Sequence, residues 1–419
     1  MKTRIGPRRF AGRAGLCLLA MGAALPGRAT EGYFALGYGP VQRGQGGAGV
    51  AHAFDAMAAA NNPAAAAAVG NEFSFGLEVF APNRGYEGTA TGFVPSGVVD
   101  SDHPLFPIPN FAWNRTLDGG AVLNVVAYGN GGMNTSYPTG LAGCGSVYCG
   151  GKAGVDLAQL FLSVTYAREE GRLSWGIAPT VVAQAFEARG LGAFAGLSTD
   201  ATALTDRGRD MSYGVGLRAG LRYAMSETLS FGISGQTKMQ MSKFDTYAGL
   251  FENAGAFDIP ASATVGLAWK ASPSLTLMAD YQHIWYSDVP AVGNATNAGP
   301  LGAPGGAGFG WDDVDVLKLG AEWRSSAEMT WRAGYAHATN PVGPEDVTLN
   351  IIAPGIVEDH VTFGGSRQLN GQDRLDFAVV YALENTVSGP EMTPLGPTGG
   401  TVELNMDQLS VTVGWTRKF

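Results

Sequence analysis

The chain has 419 residues, of which 62 are glycine and only 15% are Asp, Glu, Lys or Arg. Soluble domains carry roughly 25% charged residues and about 7% glycine, so this chain is poor in charge and rich in glycine. Its formal net charge of −9 argues against nucleic-acid binding. Past residue 30, no uncharged apolar run reaches about 18 residues, which excludes a helical membrane protein.

Residues 1–29 have the pattern of a cleaved secretory signal. A basic segment precedes the short apolar run 16–25, and small residues at Gly27 and Ala29 suit a cleavage site. We therefore expect an exported protein. Two cysteines remain in the mature chain, Cys144 and Cys149, and in an oxidising compartment this spacing favours a disulfide over free thiols. No second Cys or His cluster lies nearby, so no metal site is expected.

From residue 73 onward, apolar residues recur at every second position. The segments 211–223, 229–241, 375–383 and 408–419 show this period most clearly. One face of each segment is apolar, with aromatic residues near the ends, and the other face is small, polar or charged. This alternation predicts β-strands with one apolar side.

Two features favour a membrane barrel over a soluble sandwich. The segments have about 10–13 residues, the length that a tilted strand needs to cross a bilayer. The connections alternate between short and long, as in outer-membrane barrels. The short ones are 118–120, 169–171, 225–227, 271–273, 325–327 and 369–372. The long ones are 81–107, 131–155, 187–210, 243–259, 287–313, 338–356 and 386–404.

Counting segments between these breaks predicts an all-β fold, a fourteen-stranded antiparallel transmembrane β-barrel over residues 73–419. The terminal Phe419 follows apolar residues at alternate positions, interrupted by Arg417, and resembles the signal that the bacterial barrel-assembly machinery reads. If the aromatic face lies against lipid, seven charged or titratable residues face the lumen by parity. They are Arg218, Lys238, Lys318, Arg332, His360, Asp376 and Glu384. A charged lumen is ordinary in such barrels, so these residues need no ligand.

Residues 30–72 do not alternate but are rich in glycine and then in alanine. Gly44 to Gly49 formally match the dinucleotide-binding pattern G-x-G-x-x-G, but that motif needs a preceding strand and a βαβ unit, and neither is present. A better interpretation is a compact plug, with a short helix near 50–60, whose small residues fit inside the barrel.

Several segments resemble the FadL family of outer-membrane transporters for long-chain fatty acids and aromatic hydrocarbons. Gly32-Tyr33-Phe34, Asp55 and Asn62-Pro63-Ala64 resemble its N-terminal hatch. Three further segments are similar to the glycine-broken end of its third strand, the start of its tenth strand and the loop after its eleventh. They are residues 128–135, residues 310–313 and residues 340–342. The likeness extends over residues 30–419.

The resemblance implies a three-step route. Outer loops 187–210 and 243–259 would first capture a hydrophobic ligand in a groove, although their apolar residues could equally form a loop core. These residues are Leu191, Phe194, Leu197, Leu250, Phe251 and Phe257. The ligand would then reach a site beside the hatch, where the family motifs place Asn62 and Asp313, both of which could instead be structural. It would leave sideways into the bilayer beside the third strand. Gly129, Gly131 and Gly132 would weaken pairing there, or merely end the strand.

One departure bears on the ligand. Fatty-acid members of the family keep basic residues near the internal site for the carboxylate, but His360 stands where the resemblance leads us to expect an arginine. The remaining candidates for that charge are Arg218, Lys238, Lys318 and Arg332. If they lie too far from the site, a neutral hydrocarbon becomes the better ligand.

The expected function is therefore uptake of hydrophobic compounds across the outer membrane of a Gram-negative bacterium. The partners would be the ligand and the bilayer, and the protein is expected to be a monomer without a cofactor. A general diffusion porin and a structural or adhesive barrel are the alternatives, and a porin has no use for a plug at residues 30–72. An enzyme is not expected, since the five histidines lie in no catalytic motif.

Overall fold

The computed structural model describes residues 31–102, 105–393 and 396–419, so the expected signal sequence at residues 1–29 lies outside the described residues. Sixteen strands form one antiparallel sheet, and fourteen of them close into a barrel when the last strand pairs with the first. The predicted fold class and strand number are confirmed. Closure matters because lipid offers the backbone no hydrogen-bond partners, and a closed sheet has no edge.

The barrel strands are numbered here in chain order. They are β1 (Glu72–Thr89), β2 (Phe106–Thr116), β3 (Val122–Asn134), β4 (Gly154–Glu170), β5 (Leu173–Arg189), β6 (Asp210–Ala224), β7 (Leu229–Gln236), β8 (Ser262–Ser272), β9 (Leu275–Ile284), β10 (Val314–Arg324), β11 (Met329–Ala338), β12 (Asp359–Gln368), β13 (Asp373–Thr393) and β14 (Gly396–Lys418). Two short strands lie outside this set: Gly97–Asp100 pairs with β1, and Gln240–Met241 pairs with β6.

All helices in the described ranges are short. They are Gly39–Arg43, Ala56–Ala60, Pro63–Ala68, Val147–Cys149, Gly192–Leu197, Ala201–Ala203, Asp245–Tyr247, Glu252–Gly255, Pro290–Gly293, Pro344–Asp346 and Val347–Asn350. Within the part of the chain that the structure describes, no helix has the length and apolarity needed to cross a membrane.

The predicted period of two separates the two faces of the wall. On β14, Val413 is 55% exposed, whereas its neighbour Thr412 is fully buried. The exposed positions form the apolar outer face that lipid requires, and the buried positions point into the lumen.

Some predicted loops are strand instead. The chain was expected to form loops at 81–107 and 386–404, but β1 continues to Thr89 and pairs there with Thr401 of β14. β13 and β14 also pair through the second of these segments, as at Val387 and Leu404. These strands are longer than a bilayer requires, so β1, β13 and β14 form a wall that rises beyond the membrane on the side of the long loops.

Two residues predicted to face the lumen do not. Lys238 lies past the end of β7, and its Nζ atom is 3.4 Å from the carbonyl oxygen of Asp288 in an outer loop. Glu384 lies at a register shift between Ala382 and Asn385 and is exposed. Parity along the sequence fails at these positions because a strand end and a bulge interrupt the alternation.

Residues 31–71, called the hatch below, fill the lumen. The helix expected near 50–60 is Ala56–Ala60, which begins after Asp55, whose side chain accepts a hydrogen bond from the Met57 amide at 2.9 Å. Asn62 caps the next helix in the same way, accepting from the Ala64 amide at 3.0 Å. The alanines of both helices are small enough to pack against the barrel wall, and most are fully buried.

Glycines in the wall let the hatch backbone approach closely. A Cβ atom built on Gly334 of β11 would lie 2.1 Å from the amide nitrogen of Gly46 in the hatch. A side chain there would force hatch backbone away from β11, so glycine is required at this position for steric reasons.

We expect the substitution Gly334→Ala to leave the barrel folded but to displace the hatch, because the new methyl group meets backbone that cannot swing aside. In planar bilayers the variant should show a resolvable ion conductance that the unsubstituted protein lacks. Gly235→Ala is the matched control, since its Cβ would lie at an ordinary 3.4 Å from the Ser262 carbonyl oxygen. Equal conductance of both variants would contradict the steric role of Gly334.

Candidate functional site

The outer loops enclose an apolar cavity of about 870 Å³. The connections between β5 and β6, β7 and β8, β9 and β10, and β11 and β12 all contribute to its wall. Five of the six predicted groove residues line it. They are Leu191, Phe194, Leu197, Leu250 and Phe251. The helix Gly192–Leu197 carries Phe194 and Leu197 to the cavity.

Phe257, the sixth predicted residue, lies behind the cavity wall. It is fully buried and stacks on Phe251 with ring centroids 4.8 Å apart. Phe251 in turn packs on Phe186 at the outer end of β5, with ring centroids 4.7 Å apart. Phe257 therefore belongs to a loop core, and Phe251 presents that core to the cavity.

Sequence reasoning missed most of the residues in the cavity wall. Phe186 and Met392 lie at the outer ends of β5 and β13, and Phe93 lies in the turn between β1 and the short strand Gly97–Asp100. Leu301, Phe309, Leu349 and Ile352 come from two other outer loops. The signal that could have found the loop residues was apolar side chains in the long connections 287–313 and 338–356.

The charge of the cavity wall is negative. Its lining includes Glu345 and Asp346 but no Lys, Arg or His among the described residues. Asp346 is buried and accepts a hydrogen bond from the Thr296 hydroxyl at 2.8 Å. Burial raises the pKa of Asp346, an effect that this hydrogen bond partly offsets. A carboxylate ligand would find no cation in the described part of this wall.

Two of the predicted lumenal cations fasten the hatch. Lys318 lies 2.7 Å from the Glu31 carboxylate and donates to the Leu36 carbonyl at 3.0 Å. Burial raises the pKa of Glu31 to about 7, because the nearby Lys318 only partly compensates for the loss of water. Arg218 donates to the Tyr128 hydroxyl at 2.8 Å and also to the Ala60 carbonyl.

The other three predicted lumenal groups, Arg332, His360 and Asp376, are buried and form no ion pair with a described hatch residue. Asp376 pairs with Arg374, its neighbour on β13, at 2.9 Å. Arg332 pairs with Glu322 at 2.8 Å and donates to the Ser366 hydroxyl at 2.5 Å. His360 is fully buried, and neither ring nitrogen has a hydrogen-bond partner among the described residues. Arg218, Lys318 and Arg332 are thus already engaged inside the protein, whereas His360 is not.

The two residues carried over from family motifs have structural partners. Asn62 donates to the Val50 carbonyl at 2.7 Å and the Leu221 carbonyl at 3.1 Å, which ties the hatch to β6. Asp313 was expected near the internal site, but it accepts from the Ser287 amide at 2.9 Å and lies 3.5 Å from His283 outside the lumen. It points outward because its neighbour Val314 points inward.

The wall between β2 and β3 is incomplete. Their ladder runs from the pair Thr116–Val122 to the pair Phe111–Ala127 and stops there, although both strands continue outward. Pro107 and Pro109 interrupt β2 in this region. A proline has no amide hydrogen, so the hydrogen bonds from β2 to β1 must come from the residues between the prolines. In an antiparallel sheet the alternate residues face the other neighbour, so the positions without an amide hydrogen face β3.

The hatch backbone occupies part of this gap. β3 bulges between Gly129 and Gly131. There the Ala35 amide donates to the Asn130 carbonyl at 2.8 Å and the Gly132 amide donates to the Tyr33 carbonyl at 3.1 Å. The glycines do not end β3, since it stays paired with β4 as far as Asn134.

Side chains close the remainder of the gap. A Cβ atom built on Gly129 would lie 2.9 Å from Cγ2 of Ile108, whose side chain is buried. Nearer the outer end, Arg84 of β1 donates from Nε to the Asn134 carbonyl at 2.6 Å and from Nη2 to the Asn134 side chain at 3.0 Å.

Two further expectations concern the cysteines and metals. Cys144 and Cys149 are joined by a disulfide in the connection between β3 and β4. Over the described ranges, no group of three or more His, Cys, Asp or Glu side chains is arranged to hold a metal ion.

The chain matches the family model described as outer membrane protein transport protein (OMPP1/FadL/TodX) over residues 39–414. No curated protein matches it. Among solved structures, it is similar to the Pseudomonas putida toluene transporter TodX, with a TM-score of 0.69 and 18% identity over 92% of this chain and 99% of that one.

Two other solved structures are also similar, and each match covers 92% of this chain and 99% of the other chain. A Pseudomonas aeruginosa FadL homologue has a TM-score of 0.68 and 15% identity. The Ralstonia pickettii toluene transporter TbuX has a TM-score of 0.61 and 20% identity. At these identities the likeness establishes the fold.

We expect Gly131→Ala to release the start of the hatch from β3, because the new Cβ would lie 1.9 Å from the Tyr33 carbonyl oxygen. Losing these backbone bonds costs about 1–2 kcal/mol, so hydrogen exchange at the Ala35 and Gly132 amides should accelerate at least about tenfold. Gly129→Ala is the control, since its new methyl group meets the Ile108 side chain at 2.9 Å and no hatch atom within 4 Å. Unchanged exchange in the Gly131 variant would contradict this docking role.

Proposed function

The chain belongs to the OMPP1/FadL/TodX family of outer membrane transport proteins, and we propose that its cargo is a neutral hydrophobic compound, with monoaromatic hydrocarbons as the expected class. The observation that carries this proposal is the apolar outer cavity without a cation in its described wall. The names of two similar structures, the toluene transporters TodX and TbuX, support the same ligand class.

Electrostatics favour a neutral ligand over a fatty-acid anion. Burying an unpaired carboxylate costs several kcal/mol, and Glu345 and Asp346 would add repulsion in this cavity. Further inside, Lys318 and Arg218 already bind hatch groups. A hydrocarbon meets neither cost and gains from the burial of its apolar surface.

An aromatic row leads from the cavity to the hatch. Phe251 in the cavity wall stacks on Phe257, and the Phe257 ring lies 6.4 Å from the ring of Tyr33. The Tyr33 carbonyl is bonded to β3 at Gly132, beside the gap between β2 and β3. This row supports a route in which ligand passes from the outer cavity along Tyr33 to the gap.

Release through the gap would avoid water. Three cavities lined by hatch residues have volumes of about 10–20 Å³, too small for a benzene ring, so a ligand that passes through them requires the hatch to move. One of them is lined by Tyr38, Ile108 and Gly129, next to the gap. Each CH₂ group gains about 0.8 kcal/mol outside water, so a lateral exit into lipid is favoured over an exit into the periplasm.

The porin alternative is disfavoured by the same filled lumen. A diffusion pore needs a continuous water path, whereas the hatch is buried and bonded to the wall on several sides. Gly49 and Val50, for example, both donate to the Asp280 carboxylate, at 2.7 and 2.8 Å.

The ligand class is tested by uptake of labelled toluene and labelled oleate into cells that lack their own transporter. We expect uptake of toluene and none of oleate above background. Phe251→Ala should weaken toluene affinity about tenfold, as expected for the loss of one aromatic contact. Phe75→Ala is the control, because Phe75 is 50% exposed on the lipid-facing side of β1. Uptake of oleate alone would replace the ligand class, and uptake of neither by a folded barrel would refute the transport proposal for both.

The exit is tested by locking the gap. A disulfide in the pair Ile108→Cys and Gly129→Cys should join β2 to β3 where their ladder is missing, and toluene uptake should fall to background. The control pair is Ala112→Cys and Val126→Cys, which are partners where the ladder is already complete. Single-cysteine variants report the effect of each substitution alone. Normal uptake through the locked gap would rule out lateral exit at this place.

A further inference from the structure

The connection between β3 and β4, residues 135–153, holds one wall of the outer cavity. Three of its hydroxyl groups donate to carbonyls of a neighbouring segment: Thr135 to Ile352 at 2.7 Å, Tyr137 to Ile351 at 2.9 Å and Tyr148 to Thr348 at 2.5 Å. That segment includes the helix Val347–Asn350. Thr348, Leu349 and Ile352 of this segment line the cavity, so the three hydrogen bonds attach this part of the cavity wall to the connection between β3 and β4.

Tyr148 also supports the aromatic side of the cavity. Its ring lies 5.2 Å from the ring of Phe194 and 5.7 Å from that of Phe93, and both of these residues line the cavity. Tyr148 itself is fully buried behind them. It therefore contacts two separate walls, the aromatic pair through its ring and the helix Val347–Asn350 through its hydroxyl group.

The disulfide fixes the backbone that carries Tyr148. Cys144 and Cys149 close a small loop, and both Tyr148 and Cys149 have left-handed backbone, with φ of 56° and 55°. Non-glycine residues leave this conformation readily unless the surrounding structure holds them in it. The cross-link removes that freedom, so it holds the Tyr148 ring in place.

Gly150, directly after the disulfide-closed loop, packs closely against the start of the helix that carries Phe194. A Cβ atom built on Gly150 would lie 2.2 Å from the Gly190 carbonyl oxygen and 2.9 Å from the Gly192 amide nitrogen. Gly192 begins the helix Gly192–Leu197, which carries Phe194 and Leu197. The loop thus supports the cavity from behind at a second point.

We propose that the disulfide-closed loop 144–149, with Gly150 directly after it, is a buttress that sets the width of the outer cavity. Tyr148 is the positioning residue through which this width selects hydrophobic compounds by size. The inference rests on the proposed function, since it concerns the ligand of the same cavity. Without the buttress, Phe93, Phe194 and the helix Val347–Asn350 can move apart. A small ring then loses contacts on one side, whereas a larger one still fills the space.

The experiment compares toluene with biphenyl, both labelled, in binding to the full protein in lipid nanodiscs, with empty nanodiscs as background. Three treatments remove the buttress: Tyr148→Leu, the double substitution Cys144→Ser with Cys149→Ser, and reduction of the folded protein, whose two cysteines are exposed. Each should raise the ratio of the toluene to the biphenyl dissociation constant about tenfold. Tyr148→Phe keeps the ring and should restore most of the preference.

Lys152→Gln is the control. Lys152 lies on the connection between β3 and β4 and forms an exposed ion pair with Asp102, but it does not line the cavity. The reduced protein needs no refolding, so its result stands even where a substituted chain fails to fold. An unchanged ratio, including one that follows an equal loss of affinity for both compounds, overturns the buttress role and leaves the proposed function intact. Failure of the untreated protein to bind either compound overturns both.

Discussion

Every backbone group of a membrane-spanning wall must have a partner inside the protein, because lipid supplies none. The ladder between β14 and β1 closes the barrel and meets this demand. Between β2 and β3 the demand is not met by strand pairing alone: Pro107 and Pro109 remove donors, and the ladder stops at Phe111 and Ala127. Part of the missing pairing on β3 comes from the hatch, through the backbone of residues 33–35. The hatch is therefore part of the wall as well as a plug.

This dependence explains how the buried charges are used. A hatch that completes the wall has to be held in register, and the pairs Lys318–Glu31 and Arg43–Glu78 hold it at 2.7 and 2.5 Å. Burial makes each unpaired charge costly, so such cations stay with their partners and are not free for a ligand. Under the proposed function, apolar molecules bind where no ion pair is needed, in the cavity of the outer loops.

Local alternation and the alternating lengths of the connections predicted the fourteen-stranded barrel and the inward direction of Arg218 and Lys318, because side-chain direction has a period of two whatever the partner strand. They missed the outer extensions of β1, β13 and β14. Alternation failed for Lys238, Glu384 and Asp313, whose directions depend on where a strand stops or bulges. Those points are decided by pairing with neighbours distant in sequence. The outer cavity was only partly predicted for the same reason, since its walls meet through loops that have no common periodic pattern.

Ligand capture and hatch docking share an apolar surface. Phe257 packs on Phe251, which lines the cavity, and on Tyr33, whose carbonyl is bonded to β3. Under the proposed route, a ligand that moves inward from the cavity competes with Tyr33 for the face of Phe257. Displacing Tyr33 removes a backbone bond at the gap, so entry of the ligand and opening of the wall become one step. Such coupling requires only that the ligand pack better against Phe257 when Tyr33 is displaced than when it is in place. It requires no charged group, so a neutral ligand can produce it.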